Sequence, residues 1–209
     1  MHLELLVEEP SAEAALSELL PKIIDVNNTW VIHPHGGKKD LLGKLQDRLR
    51  GYAHWLPQDW FVVVLIDEDR QDCLVLKKEL EQAATHAGLR TRTNRGAGNR
   101  IRVVNRIAME ELEAWFFGDV EALCEAYPGV SPTLGRKAKY RNPDGISGGT
   151  WEALERVVQR AGHFEGGLAK IEAARSMSKE MDPERNRSRS FCCFRDALKT
   201  LVWTEGMLA

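Results

Sequence analysis

The sequence predicts an α/β protein in which a mostly parallel sheet is flanked by helices and followed by a C-terminal helical extension. Residues 61–66 are a continuous apolar run, mostly β-branched or aromatic, which is typical of a strand buried on both faces. Strand-like and helix-like patterns alternate through the first half of the chain, as in a parallel sheet covered by helices. From Glu110 onward the pattern is mainly helical.

The individual elements follow from periodicity and from capping and turn residues. The predicted strands are 2–7, 29–33, 60–67 and 101–107, with a further candidate at 89–93. Helices are predicted from an N-cap at Ser11 to Ile23, and over 40–50, 71–87, 110–117, 120–126, 150–160, 168–177 and 190–202. We therefore expect an α/β domain over residues 1–126. Residues 127–209 then form a loop insertion and a helical extension packed on that domain.

Composition restricts the class of protein. With 209 residues, 43% hydrophobic and 29% charged, the chain predicts a soluble globular protein. The four cysteines form no CxxC pair, no signal stretch is evident, and no apolar run approaches the ~20 residues of a membrane span, so we expect a cytoplasmic protein without a membrane partner. The net charge of −2 does not indicate nucleic acid, although basic residues cluster near 90–106, 136–141 and 185–189. Each cluster is either a solvated face or a phosphate-binding surface.

Carboxylates follow two of the predicted strands. Asp67 and Asp69 stand at the end of the apolar strand, and Glu8 ends the first strand. Open α/β sheets bind ligands at the carboxyl ends of their strands, so these three side chains are expected to converge there. Carboxylate oxygens favour a hard cation, which predicts a Mg²⁺ or Mn²⁺ site. Glu8 by itself would be a solvated strand end, and only the combination with the two aspartates points to metal.

The segment 7–13, followed by the strand that closes in Asp67-Glu68-Asp69, resembles the Toprim family. That fold serves topoisomerases, bacterial primases, OLD-family nucleases and some RNA-maturing nucleases. The resemblance implies a Toprim-like (Rossmann-like) fold in which Glu8 cooperates with Asp67 and Asp69 around a divalent metal.

Two further segments narrow this resemblance. Residues 106–119 and Ser188-Arg189-Ser190-Phe191 look like signatures of small stand-alone Toprim proteins that commonly carry a domain-of-unknown-function label. Such proteins often sit beside an ATPase in bacterial anti-phage loci, and the Toprim subunit of the PARIS defence system is similar. The resemblance implies a nuclease in anti-phage defence with a partner ATPase. It also implies that Glu113 binds a second metal or orients the first one's ligands.

The remaining candidates are cations and neighbouring acids. Substrate-binding roles are predicted for Lys38, in a glycine-rich turn, and for Arg95 and Arg100, at the ends of a glycine-containing loop. The competing interpretation is a glycine-rich turn with solvated lysines for Lys38, and a hairpin-like link for the segment that contains Arg95 and Arg100. We expect Glu110 and Glu111 to lie on an exposed helix face. In the same way, the sequence predicts an N-cap at Asp119, turn histidines at 33 and 35 rather than a metal pair, and a solvated helix lysine at 170.

The predicted function is metal-dependent endonucleolytic cleavage of DNA or RNA, with tRNA among the candidate substrates. A homodimer is compatible with the sequence. One alternative is a Toprim-like interaction module without turnover, which is favoured by Glu9 where the family usually has glycine. Another is a magnesium-dependent phosphatase with a D-x-D nucleophile. The position of the pair at Asp67 and the following Arg70-Gln71 count against this phosphatase.

Overall fold

The computed structural model describes residues 1–94 and 100–206, with side chains described up to residue 202. Its four strands are β1 (His2–Val7), β2 (Thr29–Pro34), β3 (Trp60–Asp67) and β4 (Val103–Ala108). All pair in parallel, in the order β2-β1-β3-β4. The predicted α/β class with a parallel sheet flanked by helices is therefore confirmed. The candidate strand at 89–93 is wrong, since this segment is a loop in which Thr91 and Thr93 bond to Glu81 instead of to a neighbouring strand.

Helices α1 (Pro10–Ile23), α2 (Lys38–Trp55) and α3 (Cys73–His86) connect the strands. After the sheet come α4 (Ala114–Gly118), α5 (Val120–Ala126), α6 (Thr150–Arg160), α7 (Lys170–Glu180) and α8 (Arg189–Gly206). Three short 3-10 turns lie between α5 and α6, at Leu134–Arg136, Ala138–Tyr140 and Pro143–Gly145. In the described part of the chain, no helix is long and apolar enough to cross a membrane.

Several predicted helix starts needed correction. The first helix begins at Pro10, with Glu9 and not Ser11 at the N-cap, because proline fits the first helical position. The helix expected from Glu110 begins only at Ala114, because Glu110 adopts a left-handed backbone conformation with φ of 58°. The helix expected from residue 71 begins at Cys73 and is capped by Asp72, whose Oδ1 accepts two backbone N–H groups.

The sheet is buried on both faces, as the apolar run of β3 predicted. Alternate β3 side chains enter two cores: Phe61, Val63 and Leu65 on one face, and Val62, Val64 and Ile66 on the other. The second face is covered by α2 and α3. The first face is covered by α1 and by side chains of the helices after residue 110. Each fully buried aliphatic side chain contributes about 1.5–3 kcal/mol, so β3 stabilises both cores.

The helices at the C-terminal end of the chain are fastened to the N-terminal part. Lys22 near the end of α1 donates hydrogen bonds from Nζ to the carbonyl oxygens of Ser178, Lys179 and Met181, at the end of α7. A lysine at this position satisfies carbonyl groups that a helix end leaves unpaired. α7 is thereby held against α1, and its first residue, Lys170, is held near the loop that follows β1.

Candidate active site at the carboxyl edge of the sheet

The strand order reverses at β1, since β2 lies on one side of it and β3 on the other. Ligand sites in open α/β sheets form outside the carboxyl ends of the strands at such a reversal. Glu8 follows β1 and Asp67 ends β3, so their backbones flank this position. The Oε2 atom of Glu8 accepts a hydrogen bond from the backbone N–H of Asp67 at 3.2 Å. The structure thus brings these two predicted residues into direct contact.

Asp67 lies at the centre of a group of carboxylates. Burial raises its pKa well above the ordinary value, and the negative charges of Glu113, Glu8 and Asp69 raise it further. A backbone hydrogen bond from Leu112 offsets this only in part. We call Glu8, Asp67, Asp69 and Glu113 the acidic edge. Without a further cation, burial and the three neighbouring carboxylates favour a proton on Asp67.

Glu8 is 8% exposed, and its pKa is also raised. Burial is the main cause, with the charges of Asp69 and Glu9 adding to it. The hydrogen bond from Asp67 and the charge of Lys38 act in the opposite direction. Glu8 is therefore not a solvated residue at a strand end, which was the competing interpretation from the sequence.

Asp69 and Lys38 form the outer part of the site. Asp69 has a φ of 52°, so the extended backbone of β3 does not continue to it, and its N–H donates to the carbonyl of Glu110 at 2.7 Å. Its Oδ2 lies 2.7 Å from the Lys38 ammonium. Lys38 also donates to the carbonyl of Glu68 at 2.8 Å. Lys38 begins α2, so the glycine-rich turn before it delivers a cation to the carboxylates.

Glu113 is the most deeply buried acid of the site, at 5% exposure. Burial raises its pKa to about 7, helped by the charges of Glu111 and Glu9 and opposed by Lys170. Glu113 lies in the turn directly before α4, and not inside the helix that was predicted over 110–117. A carboxyl group with a pKa near neutrality is suited to accept and release protons under physiological conditions.

Glu111 has a structural role instead of lying on an exposed helix face. Its Oε2 accepts hydrogen bonds from the N–H of Thr150 at 2.8 Å, the hydroxyl of Thr150 at 2.9 Å and the N–H of Trp151 at 2.9 Å. It therefore caps the start of α6 and joins that helix to the loop that carries Glu113. The predicted acidic helix face is wrong here because the segment is not yet helical.

Lys170 is a residue that sequence reasoning underestimated. Burial lowers its pKa, but the charges of Glu113, Glu9, Glu111 and Asp67 outweigh burial, so that its pKa is raised. Its Nζ also lies 5.1 Å from the centre of the Trp151 ring. A lysine at the first position of a helix opposes the helix dipole. This was the available signal that an acidic partner lies nearby.

The two predicted arginines are placed differently. Arg100 lies over the ring of Phe61, with 5.7 Å from its Cζ to the ring centre. Phe61 is near the start of β3, about 20 Å from its end at 3.3 Å per residue, so the structure does not bring Arg100 to the acidic edge. Arg95 lies outside the described residues.

The predicted pair of histidines divides between two structural roles. His33 Nε2 lies 2.5 Å from the buried carboxylate of Glu4, whereas His35 Nδ1 bonds to the carbonyl oxygen of Val7 at 2.9 Å. His33 lies within β2, so the predicted turn position is wrong for this residue, whereas His35 follows the strand.

The donor chemistry of the acidic edge fits a hard divalent cation. All of its side-chain ligand atoms are carboxylate oxygens, which a hard cation prefers. Burial is the main cause of the raised pKa values of Glu8, Asp67 and Glu113, and neighbouring carboxylates add to it. Among the residues that the structure describes, no three His, Cys, Asp or Glu side chains are already arranged as a metal-binding group. Mg²⁺ commonly takes one or two carboxylates and completes its shell with water and phosphate oxygens, so a preformed cage is not required.

The segments 106–119 and 188–191, which also carried the resemblance, hold the helices around the site together. Asp144 accepts hydrogen bonds from the Ser188 hydroxyl at 2.7 Å and the Ser190 backbone N–H at 2.9 Å, and thereby caps α8. The indole N–H of Trp115 donates to the Ser190 hydroxyl at 3.0 Å. Asp119 caps α5 through the N–H of Ala122, as predicted. These contacts hold α4, and the turn before it that carries Glu113, against the C-terminal helices.

Fold and site together define an α/β protein with a carboxylate-rich site at a strand-order reversal. Residues 7–201 match the family model described as Domain of unknown function (DUF4276), and the chain belongs to this family. Neither the curated proteins nor the solved structures contain a match to the chain. All four carboxylates of the acidic edge lie within the matched residues.

Proposed function

We propose that this protein is a metal-dependent nuclease that hydrolyses phosphodiester bonds in DNA or RNA at the acidic edge. The observation that carries the proposal is the contact between the Glu8 carboxylate and the Asp67 backbone at the strand-order reversal, with Asp69 and Glu113 close enough to raise the pKa of Asp67. Structural ion-pair networks also contain buried acids, but they supply each acid with cations or hydrogen bonds. At the acidic edge the hydrogen bonds and cations present do not offset burial and neighbouring charge, so the pKa values of Glu8, Asp67 and Glu113 stay raised.

Glu8, Asp67 and Asp69 would hold the Mg²⁺ or Mn²⁺ ion. When bound, such an ion stabilises charge on the phosphate oxygens and supplies a water that ionises near neutral pH. The chain itself contributes the geometry: the β1 and β3 termini fix Glu8 and Asp67, and the Lys38 ammonium holds Asp69.

Glu113 is the proton-handling group of the proposal. Its pKa of about 7 lets its carboxyl oxygen take a proton from an attacking water or return one to a leaving oxygen. Lys170 and Lys38 supply positive charge on two sides of the acidic edge. Fixed cations in such positions stabilise the additional negative charge of a phosphoryl transition state.

The resemblance to Toprim proteins, and not the geometry, supports the biological setting that we propose. This setting is anti-phage defence in the cytoplasm, with a partner ATPase that keeps the nuclease silent until it is triggered. The structure supports only the chemistry of the site.

The direct test is a cleavage assay with duplex DNA and a tRNA pool as substrates, in Mg²⁺ or Mn²⁺, with and without a neighbouring ATPase. We expect cleavage by the wild type and none by Asp67→Asn or Glu8→Gln. Asp59→Asn is the matched control, because Asp59 is exposed at the opposite edge of the sheet. Wild-type cleavage that persists in Asp67→Asn would contradict the proposal. Metal binding without cleavage of either substrate would favour the interaction module instead.

A further inference from the structure

A groove of about 590 Å³ runs beside β4, between α3 and α8. We call it the β4 groove, and four cationic side chains line it: Lys77, Arg92, Arg106 and Arg189. These residues come from three separate parts of the sequence. None of them belongs to the acidic edge, and only Arg92 and Arg106 share a basic run of the sequence.

The cations of the β4 groove fall into two pairs. Lys77 and Arg106 are held by the protein: Lys77 Nζ bonds to Glu81 at 3.0 Å and to the Asn105 carbonyl at 2.9 Å, and Arg106 Nε bonds to a carbonyl of α8 at 3.0 Å. Arg92 and Arg189 are exposed and make no hydrogen bond or ion pair with the described residues. They are therefore available to a ligand.

The acidic side chain that lines the groove does not cancel this charge. Asp196 is ion-paired with Arg195, with 2.8 Å between Oδ1 and the guanidinium. The β4 groove thus presents positive charge, and complementarity requires an anionic ligand.

One wall of the groove is apolar. Leu74, which is 79% exposed, belongs to this wall, and Ile107 and Met109 continue the same lining. Two free arginines beside an apolar wall suit a ligand with phosphates on one side and flat apolar groups on the other. A single strand of nucleic acid has this form, whereas a duplex hides its bases.

The groove ends beside the acidic edge. Cys73 and Met109 both line it. Cys73 begins α3 shortly after Asp69, and Met109 precedes Glu110, whose carbonyl accepts the N–H of Asp69 at 2.7 Å. A chain lying in the groove would therefore reach the loops that carry the carboxylates.

We infer that the β4 groove binds a single-stranded stretch of nucleic acid, with Arg92 and Arg189 on its phosphates and Leu74, Ile107 and Met109 against its bases. That the bound strand continues into the acidic edge rests on the proposed function, whereas its binding in the β4 groove does not. Because the shared chemistry is a sugar–phosphate strand with exposed bases, DNA and RNA are separate arms of the test.

The test is fluorescence anisotropy of labelled single-stranded oligodeoxynucleotide and oligoribonucleotide, titrated with full-length protein in EDTA so that cleavage cannot occur. We expect at least one oligonucleotide to bind. The double variant Arg92→Ala/Arg189→Ala should bind more weakly, with a slope of log K against log salt that is less steep by about 1.4. Arg156→Ala/Arg160→Ala is the matched control, since both arginines are exposed on α6 and the change in charge is the same.

Three results would overturn the inference: no binding of either strand, an unchanged slope in Arg92→Ala/Arg189→Ala, or an equal loss in the α6 control. Equal competition by a polyglutamate peptide would overturn it as well, because the groove would then select charge alone. Failure of the proposed function can be distinguished from failure of this inference. If binding depends on Arg92 and Arg189 but no metal supports cleavage, the proposed function fails and this inference stands. If cleavage depends on Asp67 but binding does not depend on the groove arginines, this inference fails and the proposed function stands.

Discussion

Two acidic regions of this molecule place the same kind of side chain in opposite electrostatic environments. At the acidic edge, burial and neighbouring carboxylates raise the pKa of Glu113 to about 7. Glu81 lies on α3, and burial also acts to raise its pKa. Hydrogen bonds from Thr91, Thr93, Asn105 and Lys77 outweigh burial and lower the pKa of Glu81 to about 2. We call these five residues the Glu81 network.

The difference separates an acid that supports the fold from an acid that is available for chemistry. The Glu81 network ties α3 to β4 and to the loop before it, and every partner is a donor or a cation. The acidic edge gathers carboxylates on two strand ends and a turn and supplies them with few donors. Folding does not require such an arrangement, and it favours a proton on Asp67 and Glu113 unless a further cation joins them.

The largest expected effect is a loss of cleavage activity on substitution at the acidic edge. Asp67→Asn should lower nucleic-acid cleavage by about a thousandfold, since loss of a metal-binding oxygen forfeits several kcal/mol of transition-state stabilisation. Single-turnover cleavage rates measure this, and unfolding in urea with EDTA present should show that the variant is at least as stable as the wild type. Equal rates in the two proteins would remove the acidic edge as the site.

Next in size is a pH effect on stability at the acidic edge. The pKa of Glu113 is raised from an ordinary 4.5 to about 7, so the folded protein binds this proton more tightly. The stabilisation is complete below about pH 4.5 and is lost as the pH rises through about 7, which amounts to about 3 kcal/mol. Glu113→Gln cannot lose this proton.

The measurement is urea unfolding of both proteins in EDTA, at about pH 5 and about pH 8. Relative to wild type, Glu113→Gln should gain stability between the lower and the higher pH. A difference between the two proteins that does not change with pH would mean that Glu113 titrates normally.

In the Glu81 network, unlike at the acidic edge, removal of the acid should lower the free energy of unfolding. Glu81→Ala is expected to cost about 2 kcal/mol of unfolding free energy, because it removes charged hydrogen bonds and leaves donors of the loop and β4 unpaired. Glu79→Ala, an exposed acid on the same helix, is the control and should change stability little. Thermal unfolding measures both. A loss of cleavage without a loss of stability in Glu81→Ala would mean that the network is functional.

The smallest effect on stability is expected at Lys38. The side chain of Asp69, its partner, is 44% exposed, and ion pairs at such exposure contribute about 1 kcal/mol or less. Lys38→Met should therefore leave the melting temperature nearly unchanged while slowing cleavage. Cleavage at the wild-type rate would assign Lys38 to the surface of α2 and not to the site.

The sequence was sufficient for the parts of the molecule in which one local pattern decides the structure. The apolar run of β3 predicted a strand buried on both faces, and parallel strands placed Glu8 and Asp67 at one edge. Capping by Asp119 followed from its residue type and position. In each case the relevant contacts lie within one element or between the ends of neighbouring strands.

Long-range contacts could not be read in the same way. Glu111 appeared to belong to a helix face, yet its partners are at 150 and 151. Lys170 appeared solvated. Its position at a helix start indicates an acidic partner, but only the packing of α7 on α1 shows that this partner is Glu113. Arg100 lies near the opposite end of β3 because it comes just before β4, whose first residue, Val103, pairs with Val62 near the start of β3.

The central claim is that carboxylates from separate strands share a divalent cation. The most direct measurement is the melting temperature of wild type, Asp67→Asn and the Asp59→Asn control, titrated with Mn²⁺ after removal of metal by EDTA. The account predicts a saturable rise for wild type and Asp59→Asn, corresponding to about 2.7 kcal/mol at a hundredfold excess over the dissociation constant, and no rise for Asp67→Asn. An equal rise in all three proteins, or none in the wild type, would contradict it.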